Sequence, residues 1–248
     1  MQETRDDFRH NEGGRNQAEQ IAECLGYRHT YQRGMQYSAP PLRIEEGISI
    51  LTRHPILEWN ARPLPRTEDP EDRHQRVVLR ALIATPLGAI HFFCTHWSLA
   101  RRTRRLQALA LCEAVNHVES RLPKFVCGDF NAEPEAEEIR FLTGAAEVNG
   151  RRGNFVDLWR ALRPQDVGVT FPGAEAERAR RIDYVFAVPG REAGIEWVRS
   201  IDIAFTETDA SGTRASDHLG LDVVLSTEAW RADSANEDTG LARNTDVR

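Results

Sequence analysis

The segment Lys124–Pro134 has the sequence KFVCGDFNAEP, which places polar side chains directly after a short apolar run. The run Phe125–Cys127 is typical of a buried strand, so Asp129 and Asn131 fall at its end. Alternation along a strand predicts that these two side chains share one face. A carboxylate and a carboxamide can hold a hard cation or its water and donate to a phosphate oxygen. The alternative is a strand-end turn that Asp and Asn only cap.

A second polar group, Ser216-Asp217-His218, precedes another apolar run near the C-terminal end. Histidine titrates near neutral pH and can take a proton from water when a carboxylate fixes its tautomer. Asp183, within Arg181–Tyr184, is the candidate for that carboxylate. An exposed Asp–His pair without a catalytic role is the alternative.

His96 is the third candidate, because it ends the apolar run Gly88–His96. A polar residue there either faces solvent at the edge of a sheet or points into a site, and the residues alone favour neither. Glu3 lies next to the start of the sequence and carries no local signal of its own.

Hydrophobic periodicity indicates a mixed α/β chain. The residues from Ala18 to Leu25 follow the spacing of an amphipathic helix that Gly26 ends. A longer helix is predicted from about Leu99 to Arg121, with arginines crowded in its first turns. The other predicted elements are strands at 47–51, 77–84, 88–96, 124–130, 181–188 and 219–225, with 77–84 and 88–96 paired as a hairpin, and short helices at 135–142 and 155–162.

Composition limits the class of protein. With 248 residues and 40% hydrophobic content, the chain can bury one core, so we assign one domain at 1–225 and a disordered polar tail at 226–248. A net charge of -6 argues against an extended nonspecific nucleic-acid surface. We find no transmembrane segment and no heptad that would signal an oligomer. The four cysteines form no metal-binding cluster, which predicts buried free thiols and a reducing, cytoplasmic compartment.

Taken together, these motifs resemble the endonuclease/exonuclease/phosphatase superfamily, also called the deoxyribonuclease-I-like fold. The combination of GDFN with a distal SDH is specific, and the added RIDY and THW make chance agreement improbable. Over residues 2 to about 225, the motifs occur in the order typical of that family, namely Gln2-Glu3, Glu46-Gly47, Thr95-His96, Gly128–Pro134, Arg181–Tyr184 and Ser216–His218.

The resemblance implies a metal site. Glu3 is similar to the metal-binding glutamate of the family, and Asp129, Asn131 and Asp217 match positions that surround the metal, water and phosphate. The implied cofactor is Mg²⁺ or Mn²⁺. Hydrolysis then proceeds by in-line attack of an activated water, without a covalent enzyme intermediate.

The resemblance also implies roles in proton transfer and phosphate binding. His218 is similar to the base or phosphate ligand that Asp183 orients, and the proton of the water goes to Asp129 or to His218. His96 resembles the second catalytic histidine, with Glu46 as its carboxylate partner. Arg80 is implied as a phosphate contact, and a solvent-facing strand arginine is the alternative.

The fold implied by the resemblance is a four-layer α/β sandwich, with two mixed β-sheets packed face to face, helices outside each, and catalytic groups at one rim. Family members usually begin with a strand that carries an Asn before the Gln-Glu motif, whereas this sequence starts at Met1-Gln2-Glu3. We therefore expect that strand to be missing. A start codon assigned too late, or a fragment, is favoured over a truncated product without activity.

The sequence leaves the substrate open. The family resemblance implies a phosphate ester, whether a small molecule, a lipid head group or a nucleic acid. Arginines at 101–105 and 178–181 can bind a polyanion, but we favour a solvated helix face and a basic loop, and no aromatic residues are interleaved with these arginines. We favour a phosphodiesterase or phosphomonoesterase. The alternatives are a nuclease acting on DNA or RNA, and an inactive truncated domain with a binding role.

Overall fold

The computed structural model describes residues 1, 4–7, 15–39, 42–69, 72, 74–120, 122–173, 178–188 and 195–226. The strands are β1 Thr4–Asp7, β2 Arg28–Ala39, β3 Leu42–Thr52, β4 Ile56–Pro63, β5 Val77–Thr85, β6 Gly88–His96, β7 Lys124–Asp129, β8 Val156–Asp157, β9 Asp183–Val188, β10 Val198–Ala204 and β11 Gly220–Leu225. The helices are α1 Gln17–Leu25, α2 Arg101–Asn116, α3 Glu137–Leu142 and α4 Leu158–Leu162.

The central sheet has six strands in the order β4-β5-β6-β7-β9-β8. Its one parallel pair is β6 and β7, which are joined by a crossover that contains α2. Because parallel neighbours end at the same edge, the last residues of these two strands, His96 and Asp129, are in register. The crossover therefore brings together two candidates that are 33 positions apart in the sequence.

Both faces of the central sheet are covered, so the predicted four-layer sandwich is confirmed. One face packs against α2 and α3 through a core that includes Phe93, Val126 and Phe186. The other face packs against β3 and against the β10–β11 pair through two further cores. In the described residues this second β layer consists of two antiparallel sheets, β1-β3-β2 and β10-β11, and α1 contacts the first of them.

Local chemistry explains where the helices end. Asn16 and Glu19 form a capping box at the start of α1, and Gly26 ends the helix with φ at 64°. α2 ends at Asn116, earlier than predicted, and the Lys124 ammonium donates to the carbonyls of Val115 and Val118 at 3.2 and 2.7 Å. No helix among the described residues is long and apolar enough to cross a membrane.

The strands and helices predicted from apolar runs are confirmed, including the β5–β6 hairpin. The sequence did not predict β1, β2, β4, β8 and β10. β4 is mostly exposed and β2 is rich in polar residues, so neither shows a clear apolar alternation. All four cysteines are free, but the expectation of burial is wrong for Cys24, which is exposed on α1. Glu3 and the tail beyond Ser226 lie outside the described residues.

Candidate active site

The centre of the site is the in-register pair of His96 and Asp129, at the end of β6 and β7. The His96 Nε2 lies 3.4 Å from the Asp129 Oδ2, and both side chains are buried. The residue before Asp129 is Gly128, with φ at 153°, and a Cβ there would lie 1.9 Å from the Thr95 carbonyl oxygen. A glycine is therefore required for the two strands to approach closely enough to form the pair.

A second acid–imidazole pair, Asp183 and His218, lies beside the first. Asp183 begins β9 and is in register with Asp129 across the β7–β9 ladder. Its Oδ2 lies 2.8 Å from the His218 Nδ1. Thr170 joins the two segments, because its hydroxyl accepts from the Asp183 amide at 3.1 Å and its carbonyl accepts from the Leu219 amide at 2.7 Å.

Asn131 reaches the site through a turn and not through strand alternation, which corrects the reason given for its placement. β7 ends at Asp129, and Asn131 adopts a left-handed conformation with φ at 48°. Its amide N–H donates to the Asp129 Oδ1 at 2.7 Å, and its side-chain nitrogen donates to the Trp97 carbonyl at 2.9 Å. These bonds hold the two polar residues of GDFN together beside the His96 strand.

The electrostatics of the site favour a proton, or another cation, close to the carboxylates. Burial, together with the charge of Asp183, raises the pKa of Asp129 to about 7. Burial alone would lower the pKa of His218, but the hydrogen bond and charge of Asp183 outweigh it and raise that pKa to about 9. Burial, helped by the charge of Arg76, lowers the pKa of His96 to about 3. At neutral pH, His218 is therefore cationic and His96 is neutral.

Asp129, Asp183 and His218 form the centre of the site, and His96 and Asn131 adjoin it through their contacts with Asp129. One ligand atom from each of Asp129, Asp183 and His218 lies within 4.8 Å of the others. Asp217 is exposed and is not among the residues of this cluster. Glu46 is buried and lines a small cavity with His96.

Arg80 is placed away from His96 and Asp129. Its guanidinium donates to the Glu58 carboxylate at 2.8 Å and contacts the His91 Nδ1 at 3.2 Å. β5 runs antiparallel to β6, so Val78 and not Arg80 lies beside the end of β6, paired with Thr95. The structure therefore shows the Arg80 guanidinium engaged by Glu58 and His91.

A buried arginine near the site was missed by the sequence reasoning. The Nε and Nη2 of Arg76 donate to the Asp72 Oδ2 at 3.1 and 2.8 Å, and that oxygen also accepts from the Leu99 amide at 3.2 Å. Both partners of the ion pair are at most 5% exposed. Within the described residues, the Arg76 Nη1 has no hydrogen-bond partner. A four-residue spacing in a polar loop gives no sequence signal for this pair.

An aromatic ring next to His218 was also missed. The Phe171 ring lies 5.0 Å from the His218 ring, and the Arg180 guanidinium lies 5.1 Å from the centre of the Phe171 ring. Phe171 is not interleaved with the arginines at 178–181 in the sequence, and the fold brings its ring against Arg180. Phe171 and Arg180 form an isolated antiparallel bridge.

The residues at this edge fit a divalent cation. Asp129 and Asp183 are adjacent acidic groups, and burial with mutual repulsion disfavours the charged form of Asp129. A hard cation would relieve that repulsion, and carboxylate oxygens are the ligands that Mg²⁺ and Mn²⁺ prefer. His218 carries a proton at neutral pH, so its imidazole is better suited to phosphate oxygen than to the metal.

Comparison with solved structures finds chains of similar fold. Similar solved structures include an endonuclease/exonuclease/phosphatase from Beutenbergia cavernae (22% identity, TM-score 0.65), which the match covers over 91% of this chain and 61% of that one. A family protein from Leptotrichia buccalis (18%, 0.67) is covered over 91% and 85%. D. rerio TDP2 complexed with single strand DNA product (16%, 0.58) is covered over 82% and 79%.

These likenesses, all below 25% identity, show the fold. This chain spans less than two thirds of the Beutenbergia protein. No relative is found among curated proteins. The model of the Endonuclease/Exonuclease/phosphatase family matches residues 1–218, which contain the GDFN, RIDY and SDH motifs in the expected order. The chain therefore belongs to the endonuclease/exonuclease/phosphatase family.

Proposed function

We propose that the protein is a divalent-metal-dependent phosphoric ester hydrolase that cleaves a phosphodiester or phosphomonoester by in-line attack of an activated water. One observation carries the proposal: two acid–imidazole pairs, His96–Asp129 and Asp183–His218, meet at one edge of the central sheet. Family membership supports the same reaction class. Neighbouring acids and imidazoles with perturbed pKa values are typical of hydrolytic sites.

The proposed metal ligands are Asp129 and, from the family pattern, Glu3, Asn131 and Asp217. Asp183 is close enough to Asp129 to contribute charge to the same site. When bound, Mg²⁺ or Mn²⁺ supplies positive charge for a phosphoryl oxygen and for the leaving group. The Asn131 side chain, which donates to the Trp97 carbonyl, would contribute its carboxamide to the metal or phosphate from beside Asp129.

Protonation states assign the remaining roles. His218 is cationic at neutral pH, so it donates to a phosphoryl oxygen while Asp183 holds its Nδ1. Asp129, whose pKa lies near 7, is the group that can accept the proton of the water. His96 is neutral and contacts the leaving oxygen as a hydrogen-bonding group, with Glu46 as a buried acid nearby.

A nuclease acting on DNA or RNA is the second candidate. The observation that favours it is the cluster of Arg180, Phe171 and His218, because single strands bind to cationic and aromatic groups in combination. The fold is also similar to that of a TDP2 solved with a single strand DNA product. Steep salt dependence of cleavage would distinguish this activity from hydrolysis of a small ester.

The test measures hydrolysis of bis-p-nitrophenyl phosphate and p-nitrophenyl phosphate with Mg²⁺, Mn²⁺ or EDTA. We expect activity that requires the metal and is lost in Asp129→Ala and His218→Ala. His91→Gln is the matched control, because His91 lies on the same strand as His96 but outside the site. A second readout is independent of turnover: Mg²⁺ should raise the melting temperature of the wild type more than that of Asp129→Ala.

The outcomes separate the three interpretations. Metal-dependent cleavage of the small esters supports the leading proposal, and the preferred compound distinguishes a diesterase from a monoesterase. Cleavage of single-stranded DNA or RNA alone supports the nuclease. A folded protein that cleaves neither esters, nucleic acids nor phospholipids would contradict both and support a binding role.

A further inference from the structure

Two cysteines face each other directly beneath the candidate catalytic pair. Cys94 on β6 and Cys127 on β7 are in-register neighbours across the parallel ladder. Both are free thiols, and their side chains are hydrogen-bonded to each other. The Cys94 Sγ also lies 3.9 Å from the Met1 carbonyl oxygen. The structure therefore holds two thiols in contact, although the sequence separates them by 33 positions. The hydrogen bond to Cys94, together with burial, raises the pKa of the Cys127 thiol well above its usual value, so we expect its exchange to be slow at neutral pH.

The thiol pair shares its strands and its sheet face with the candidate catalytic pair. Residues two apart on a strand point to the same side, so Cys94 lies below His96 and Cys127 lies below Asp129. Only Thr95 and Gly128 separate the two pairs along the strands, and a Cβ at Gly128 would lie 1.9 Å from the Thr95 carbonyl oxygen. Only one residue on each strand therefore separates a change in the spacing of the two cysteines from the catalytic pair.

The backbone spacing allows a disulfide between these residues. Neighbouring strands lie about 4.7–4.9 Å apart, within the roughly 4.4–6.8 Å range of Cα separations that a disulfide spans. Cys94 is only 1% exposed, whereas Cys127 is partly exposed. A small reagent therefore meets Cys127 first, and Cys94 is in place to complete the exchange.

We propose that Cys94 and Cys127 form a reversible modification site for low-molecular-weight disulfides of the glutathione class. The Cys127 sulfur attacks the small disulfide, so one S–S bond forms, the original S–S bond breaks, and one small thiol leaves with the proton. Cys94 then attacks the mixed disulfide and displaces the second small thiol. The protein loses two electrons and two protons, and the small disulfide gains them.

Closure of this bond would change the site above it. A disulfide draws the two sulfurs to about 2.05 Å and the two Cβ atoms to roughly 3.8 Å, which is closer than neighbouring strands normally place them. β6 and β7 must shift or twist to comply, and His96 and Asp129 shift with them. This effect on turnover rests on the proposed function, whereas formation of the bond does not.

The experiment uses the full chain with Cys24→Ser, which removes the exposed thiol that would link two molecules. The protein is incubated with oxidised glutathione and then analysed by intact mass and by peptide mapping without reduction. We expect loss of the mass of two hydrogen atoms and a linked peptide that joins Cys94 to Cys127. Further Cys94→Ser or Cys127→Ser substitution should abolish that loss, and Cys112→Ser should leave it unchanged.

Activity is measured on the same samples before oxidation, after oxidation and after reduction. We expect oxidation to lower metal-dependent hydrolysis by at least about tenfold, since misplacement of catalytic groups by about 1 Å costs up to roughly 10²-fold, and reduction to restore it. A linked peptide in a protein that is inactive even when reduced would support the modification site and contradict the proposed function. If all thiols remain reduced after incubation with oxidised glutathione, or if the linked peptide contains Cys112, the proposed modification site is wrong.

Discussion

Each end of the β6–β7 pair carries a histidine of β6, and the charged residue paired with that histidine differs between the two ends. At one end His91 is in register with Lys124, and at the other end His96 is in register with Asp129. Around His91 the charges are mostly cationic, and burial together with Arg80 and Lys124 lowers its pKa to about 4. Around Asp129, burial and the charge of Asp183 raise its pKa to about 7, and they outweigh the opposite effect of His218 and Arg76.

This difference indicates which end of the β6–β7 pair is the candidate cation-binding end. The Lys124 ammonium is satisfied by the last carbonyls of α2, and the Arg80 guanidinium is satisfied by Glu58 and His91. These two cations are therefore already engaged by contacts within the protein. At the opposite end, Asp129 remains buried beside a second carboxylate, an arrangement that is costly unless a cation or a proton offsets it.

The largest expected effect compares the two histidines of β6. His96→Gln should lower kcat by about 10²–10⁴, because it removes a hydrogen-bonding group from the reacting edge. His91→Gln should change kcat by less than about threefold, within the range of a substitution outside the site. Steady-state kinetics at saturating Mg²⁺ measures both, with circular dichroism as a control for folding. Equal losses in the two variants would show that the comparison is wrong.

The pH dependence of stability should test whether Asp183 raises the pKa of His218. Its folded pKa of about 9 exceeds the unfolded value of 6.5, so the stabilisation is fully present below about pH 6.5 and is lost as pH rises through 9. Asp183→Asn removes the bond that raises this pKa. The variant should be less stable than wild type at pH 6.5, and the difference should narrow toward pH 10. Urea denaturation of metal-free protein at several pH values measures it, and a constant difference would contradict the assignment.

A smaller effect of opposite sign is expected at Asp129. Its pKa is raised, so ionisation costs stability as pH rises from about 4 to 7 and the full cost remains above 7. Asp129→Asn should therefore stabilise the metal-free protein by roughly 1–3 kcal/mol at pH 8 while abolishing hydrolysis. Thermal unfolding with EDTA measures the gain, which should vanish near pH 4. A destabilised variant would indicate that the Asn131 amide bond to Asp129 outweighs the repulsion.

The smallest effect is expected at the cationic end. Lys124→Met removes the donor to the Val115 and Val118 carbonyls while keeping an unbranched side chain. Stability should fall by about 1 kcal/mol, the usual contribution of such bonds, and kcat should remain unchanged. Chemical denaturation and kinetics on the same preparation measure both quantities. A large loss of activity would indicate that the two ends of β6–β7 are coupled.

The sequence predicted the elements whose apolar runs are buried, such as β5, β6 and β7, and the motifs at their ends. The sequence did not predict the strand order, and this limited the assignment of site residues. Arg80 lies in an apolar run as His96 does, but antiparallel pairing places it beside Phe93, three residues before the end of β6 that carries His96. Arg76 and Phe171 are brought to the site by loops, whose paths depend on tertiary contacts and not on periodicity.

Gly128 has a consequence for how mutational scans of this protein are interpreted. The residue has no functional group, but any side chain would collide with the Thr95 carbonyl and separate the two strands that carry His96 and Asp129. A library selected for activity would therefore reject every replacement at this position as strictly as it rejects replacements of the catalytic acid. Only a parallel selection for abundance would distinguish them, because a catalytic carboxylate can be replaced without unfolding the chain, whereas this glycine cannot.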